Sequence, residues 1–159
     1  MRAAVLTVST SRAAGKGGDE SGDALAEFAE RLGAEVAGRE VIPDDRELIA
    51  ERLRHWADEV GCELILTTGG TGFTPDDVTP EATRVVVDRE APGIPEAMRA
   101  ASRPHTEYWM LSRGVAGIRN RTLIVNFPGS PKSIVEAGEA ITAALPHALD
   151  LIASRGGSH

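Results

Sequence analysis

The chain has 159 residues, 24 acids against 17 bases for a net charge of −7, and 42% hydrophobic residues. That length is read as one domain, residues 1–153 with a flexible tail over 154–159, large enough for a real core. The acidic balance excludes a general nucleic-acid binder, which needs a basic face. No apolar run approaches the ~18 residues of a membrane span, the N-terminus lacks a signal-peptide pattern, and the single Cys62 cannot form an internal disulfide, so no membrane association and a cytoplasmic location are expected.

The apolar run from Arg2 to Ser9 reads as a buried strand. Thr10 to Gly22 reads as a flexible polar loop, with Asp19 or Ser21 capping the helix over Ala24 to Leu32, which Gly33 ends. Val36 to Ile42 reads as a strand and Pro43-Asp44-Asp45 as a turn into the next helix, whose stripe is Leu48, Ile49, Leu53, Trp56 and Val60. Cys62 to Thr68 is a third buried strand. Thr79 as N-cap and Pro80 at N1 start a helix reaching Val87 or Asp88. A short helix follows over Glu96 to Ser102, and Arg103 to Arg113 has no readable pattern. Val115 to Arg119 and Thr122 to Phe127 read as strands around Asn120-Arg121, Ile134 to Leu145 as a helix, and Pro146 to Ile152 as a last one. Strands alternating with helices predict an α/β/α three-layer sandwich around a mostly parallel sheet, its late strand pair open to an antiparallel arrangement.

In an open α/β sheet, ligands bind beyond the carboxyl ends of the strands, where four loops should meet. The third carries Thr68-Gly69-Gly70-Thr71-Gly72. Three glycines in four residues let backbone N–H groups converge on an anion, with Thr68 and Thr71 adding hydroxyls. The loop has neither the Lys-Ser/Thr of a Walker P-loop nor the third glycine of a dinucleotide fingerprint, and a tight strand-to-helix connection would also use glycine. Asp76 and Asp77 follow. Acids beside an anion site repel it unless a cation lies between, so Asp77, with Asp44 at the neighbouring strand end, suits Mg²⁺ carrying substrate phosphates. Asp45 and Asp76 are read as helix N-terminal acids. A second cradle runs from Pro128 to Ser133: Ser130 as N-cap and Pro131 at N1 leave N–H groups free at a helix start, and Lys132 adds a full charge, although a capped helix with a surface lysine is the plainer alternative. The chain has 15 arginines and only two lysines, Lys16 and Lys132, both in glycine-containing loops, where a compact ammonium suits phosphate oxygens. The histidines share no ligand spacing, so no structural zinc is expected, Cys62 and Trp56 read as core, and Tyr108-Trp109 as a pocket wall or subunit contact.

TTGGTG, the DVTPEAT after it and NFPGSPKS, with VLTVSTSR, DESGDAL, VIPDD, REAPGIPEAMR and LSRGVAGIR in order, resemble the molybdopterin adenylyltransferases of the MogA and gephyrin G-domain type over nearly the whole chain. The resemblance implies an α/β sandwich assembling as a homotrimer, which transfers AMP from ATP to the terminal phosphate of molybdopterin with Mg²⁺, and a molybdate-insertion protein as a further partner. It implies that Asp44 and Asp77 are the essential, metal-binding aspartates, that Gly69, Gly70, Thr71 and Gly72 form the nucleotide loop, and that Gly129, Ser130, Pro131, Lys132 and Ser133, with Asp19 and Ser21, serve molybdopterin. Two alternatives remain at this point: a non-catalytic pterin-binding or scaffold protein of the same fold, and a sugar-nucleotide or pyrophosphate hydrolase on a similar sheet, which lacks a candidate base for water.

Overall fold

A computed structural model describes residues 1–154; of the expected tail, 155–159 lie outside the described residues. Six strands form one sheet: β1 (Arg2–Val8), β2 (Glu35–Ile42), β3 (Leu64–Thr68), β4 (Arg89–Glu90), β5 (Ala116–Arg119) and β6 (Thr122–Phe127), in the order β2-β1-β3-β6-β5-β4. The first four in that order run parallel, whereas β6-β5 and β5-β4 pair antiparallel. The late hairpin thus takes the antiparallel form, turning at Asn120 in the left-handed region.

Among the described residues seven α-helices flank the sheet: α1 (Thr10–Ala13), α2 (Glu20–Arg31), α3 (Arg46–Arg54), α4 (Thr79–Val86), α5 (Gly93–Ser102), α6 (Pro131–Ile141) and α7 (Leu145–Ala153). The central strands are apolar on both faces because helices cover both. Ala3, Val5, Leu64, Leu66, Leu123, Val125 and Phe127 meet α2, α5, α6 and α7, while Ala4, Leu6, Val8, Ile65 and Ile124 meet α3 and α4. These are the expected three layers. Among the described residues no helix is long and apolar enough to cross a membrane.

Four local expectations change. The loop after β1 is partly helical: Ser9 caps α1 by accepting from the Arg12 N–H, and Asp19 caps α2 by accepting from the Gly22 N–H, so α2 starts before Ala24. The helix α3 passes into a π-helical turn over His55–Glu59, which brings Trp56 over Gly38 with its Nε1–H on Glu40 at 2.7 Å. A two-residue strand, β4, lies where no strand was read, too short to show a pattern. Thr79 does not cap α4; the preceding Val78 occupies the cap position, no side chain serves it, and the helix ends at Val86.

Candidate functional site

The parallel strands β2, β1, β3 and β6 deliver their following loops to one edge in that spatial order. Asp44 follows β2, Thr10 follows β1, the glycine turn follows β3, and Pro128 to Ser133 follow β6. Four segments far apart in sequence therefore meet, as topology requires.

The glycine turn is held by close approaches that exclude side chains. Gly69 (φ +91) packs so that a β-carbon there would overlap the Val8 carbonyl oxygen. A β-carbon on Gly70 (φ +68) would overlap Thr79 Oγ1 and stand 3.3 Å from Asp44 Oδ1. Both positions are left-handed and so favour glycine. The turn is stapled to the start of α4 by the Thr79 N–H donating to the Gly70 carbonyl at 3.1 Å.

The two aspartates lie on this turn. Asp44 Oδ2 accepts from the Thr10 N–H (3.1 Å) and hydroxyl (2.8 Å), and the Asp44 N–H donates back to that hydroxyl at 3.0 Å. The lock leaves Oδ1 beside Gly70. Asp77 Oδ2 accepts from the Thr74 N–H (3.0 Å) and hydroxyl (2.9 Å) and would stand 2.8 Å from a β-carbon on Gly72. Both side chains are half-buried. Among the described residues no three His, Cys, Asp or Glu side chains gather as a ready-made metal site. Hard carboxylate oxygens at Asp44 and Asp77, with the unpaired buried Thr79 hydroxyl between α4 and Gly70, nevertheless fit the partial protein shell that Mg²⁺ uses when phosphates complete it. Asp45, by contrast, caps α3, accepting from the Leu48 N–H at 3.0 Å.

Arg113 holds the turn from outside, and sequence reasoning missed it. Its backbone N–H donates to the Thr71 carbonyl at 2.8 Å. Its guanidinium donates to the carbonyls of Gly72 and Asp77, each at 2.7 Å, and to Glu81. With these carbonyl oxygens turned toward Arg113, the loop's shape is fixed by one planar fork. The Arg113 hydrogen bond, with burial opposing it, holds the Glu81 carboxyl below its usual range. No periodicity could have flagged Arg113, because its partners are carbonyls about forty residues earlier, such as Gly72.

The second loop abuts the first: a β-carbon on Gly129 would be 3.9 Å from the Gly69 α-carbon. Ser130 caps α6, accepting from the Ser133 N–H at 3.2 Å, with Pro131 at the first turn. Lys132 is 82% exposed, with Glu136 at 4.0 Å. Three residues expected to touch substrate have other occupations. The Thr68 hydroxyl donates to the Pro128 carbonyl (2.6 Å) and the fully buried Ser21 hydroxyl to the Gly129 carbonyl (2.7 Å), so both anchor the second loop. Asp19 caps α2 and pairs with Arg39 at 3.2 Å. Beside this loop a groove opens between α5 and α6, walled by Met98, Tyr108, Trp109, Asn126, Pro128 and Ser133. This places the previously unreadable segment, with its single 3₁₀ turn at Trp109–Leu111, on the rim of the site.

Residues 4–147 match the family described as "Probable molybdopterin binding domain". The chain belongs to that family. A molybdopterin adenylyltransferase of Helicobacter pylori (strain J99) is 48% identical over 113 residues, 71% of this chain and 64% of that protein. The Drosophila melanogaster molybdenum cofactor synthesis protein cinnamon is 47% identical over 70% of this chain and 19% of its own length. The chain thus spans less than two-thirds of these curated relatives. Among solved structures, the molybdopterin biosynthesis enzyme MoaB of Thermus thermophilus superposes with a TM-score of 0.90 at 48% identity, covering 97% of each chain. A tungsten cofactor synthesizing MoaB of Pyrococcus furiosus gives 0.87 at 30% identity, over 96% of this chain and 97% of that one. The family's fold is therefore kept down to low identity, and the carboxyl edge of its sheet is where this chain concentrates its loops.

Proposed function

We propose that this chain is a molybdopterin adenylyltransferase of molybdenum-cofactor biosynthesis, transferring AMP from ATP to the terminal phosphate of molybdopterin and releasing pyrophosphate. The observation that carries the reading is the placing of two carboxylates, Asp44 and Asp77, against a glycine turn that adjoins a second helix-start cradle. One anion cradle beside uncompensated acids suits a phosphate that arrives with a cation. Two cradles side by side suit two phosphate-bearing substrates.

On this reading the glycine-turn N–H groups hold the triphosphate, and Asp44 and Asp77 hold Mg²⁺. A cation held there would supply charge neutralisation for the substrate phosphates. Gly129, Ser130 and Ser133 present the α6 N-terminus, and Lys132 an exposed charge, to the terminal phosphate of the pterin substrate. The adjoining groove, with Trp109 and Met98, offers the flat apolar wall a pterin ring needs. A phosphate monoester is already an anion near neutral pH, so attack on the α-phosphorus needs positioning and no general base. Thr68, Ser21 and Asp19 contribute by fixing the loops. A homotrimer, cytoplasmic location and a molybdate-insertion partner belong to the same proposal, supported by the sequence resemblance.

The test is binding and turnover together. Calorimetry should give ATP binding that requires Mg²⁺, and Asp77→Ala should abolish adenylylation while molybdopterin still binds. Pterin binding without any ATP–Mg²⁺ binding would favour the scaffold reading instead. Steady phosphate release from ATP without pterin would favour a hydrolase.

A further inference from the structure

Thr79 is fully buried, yet among the described residues its hydroxyl has no hydrogen-bond partner. Thr7 Oγ1 and Glu81 Oε2 are likewise unpartnered, but the Thr67, Thr83 and Asn126 side chains bond without it. Thr83 Oγ1 donates to the Thr79 carbonyl at 2.8 Å, and Asn126 Nδ2 donates to the hydroxyls of Thr67 and Thr83 at 3.0 Å each. The Asn126 side-chain oxygen Oδ1 accepts from the Val115 N–H at 3.1 Å. This network ties β3, β6 and α4 together beneath the glycine turn and closes with Thr79 Oγ1 left over.

A buried hydroxyl without a partner is a cost to the fold, and valine would fill the same space without it. The direction of the hydroxyl gives the reason for the cost. It lies against the α-carbon of Gly70, on the side where a β-carbon would stand 3.3 Å from Asp44 Oδ1. Asp44 Oδ2 is taken up by Thr10, so Oδ1 is the oxygen left for a ligand. Two oxygens without partners, one anionic and one neutral, flank the same bare α-carbon. Gly70, against which the hydroxyl packs, is itself half-exposed.

We propose that Thr79 Oγ1 is a ligand group of the nucleotide site, gaining its partner only when a metal-bound nucleoside triphosphate settles beside Gly70 and Asp44 Oδ1. This rests on the nucleotide reading of the glycine turn. The hydroxyl can offer a lone pair to a cation or a proton to a phosphate oxygen, and Gly70 presents no side chain to block its approach. The fold thus carries an unsatisfied group as preorganisation for its ligand.

The test uses the whole chain with Mg²⁺ and α,β-methylene-ATP, an analogue that cannot give up AMP. Thr79→Val should melt no lower than the parent and bind the analogue roughly tenfold or more weakly, the loss of one charge-assisted hydrogen bond. Thr79→Ser should bind as the parent does. Should Thr79→Val fail to fold, Thr79→Ser and Thr79→Ala differ only in the hydroxyl: equal melting with weaker binding by the alanine variant supports the proposal. Parent-like binding by the hydroxyl-free variants overturns it, and so does a hydroxyl-dependent loss of melting temperature, which would show a structural partner. A parent protein that does not bind the analogue overturns the nucleotide reading itself, and the proposal with it.

Discussion

Replacing Gly69 by alanine tests the geometry of the nucleotide turn most sharply. At φ +91 an alanine costs about 1–2 kcal/mol. Its β-carbon would also overlap the Val8 carbonyl oxygen, a backbone atom in the parallel sheet that has no rotamer to give, adding about 1–3 kcal/mol of overpacking. The sum is roughly 2–5 kcal/mol, and each kcal/mol moves the melting temperature of a domain this size by about 2–4 °C. A fall of roughly 4 to 20 °C is expected. Gly33 supplies the control: it is also left-handed, at φ +87, but an added β-carbon meets nothing within 4 Å, so only the backbone cost applies, roughly 2 to 8 °C. Gly129→Ala, whose β-carbon would make an ordinary 3.9 Å contact, should melt at or slightly above the parent. Thermal unfolding followed by circular dichroism, with urea titration beside it, reads all three. If Gly69→Ala melts at or above Gly33→Ala, the tight packing of the turn against β1 is refuted.

Arg113→Met should raise the Kd for MgATP roughly tenfold and lower the melting temperature by roughly 5 to 15 °C, since it removes three part-buried, charge-assisted hydrogen bonds; Arg113→Lys should not restore binding, because a point charge cannot serve the Gly72, Asp77 and Glu81 acceptors together, and full rescue by lysine would contradict the clamp. Lys132→Ala, at an 82% exposed position, should leave folding and ATP binding unchanged, weaken the pterin substrate, and lose its effect as salt rises; a salt-independent effect, or one on ATP, would count against it. The Glu81 carboxyl is held below its ordinary value chiefly by the Arg113 hydrogen bond. A depressed carboxylate pKa gives stability that is whole above the ordinary glutamate value and is lost as pH falls through the lower folded value. The stability gap between the parent and Arg113→Met, from urea midpoints along a pH series, should therefore shrink on the acid side; a gap constant into strong acid would refute the pairing.

The parallel sheet was legible because its central strands are buried on both faces and so read as apolar runs with β-branched threonines, as in Ala3 to Val8 and Leu64 to Thr68. The Ser130-Pro131 helix start and the Asp45 cap were legible because capping is local chemistry, written in adjacent residues. Thr79 defeats the same rule. Its sequence, threonine before proline, signals a cap, but the chain enters α4 one residue earlier and turns the hydroxyl inward, a tertiary preference that overrides the local one. The short helix α1 was hidden because its four residues, Thr10–Ala13, bury no side chain and so carry no apolar stripe. Arg113 and Ser21 were beyond reach for a different reason. Apart from the Glu81 carboxylate that Arg113 also meets, their side-chain partners are backbone carbonyls brought near by topology, at Gly72 and Asp77 for one and Gly129 for the other, and carbonyls leave no trace in sequence. At the candidate site, the sequence therefore pointed to the loops, whereas the division between groups that face a ligand and groups that hold loops needed the fold.

The most direct measurement is the fate of ATP labelled at its α-phosphate, incubated with the protein, Mg²⁺ and molybdopterin. The account predicts that the label moves onto the pterin with release of unlabelled pyrophosphate, and that Asp44→Ala and Asp77→Ala each stop the transfer. Molybdopterin bound without any label transfer, or transfer that survives both substitutions, would contradict it.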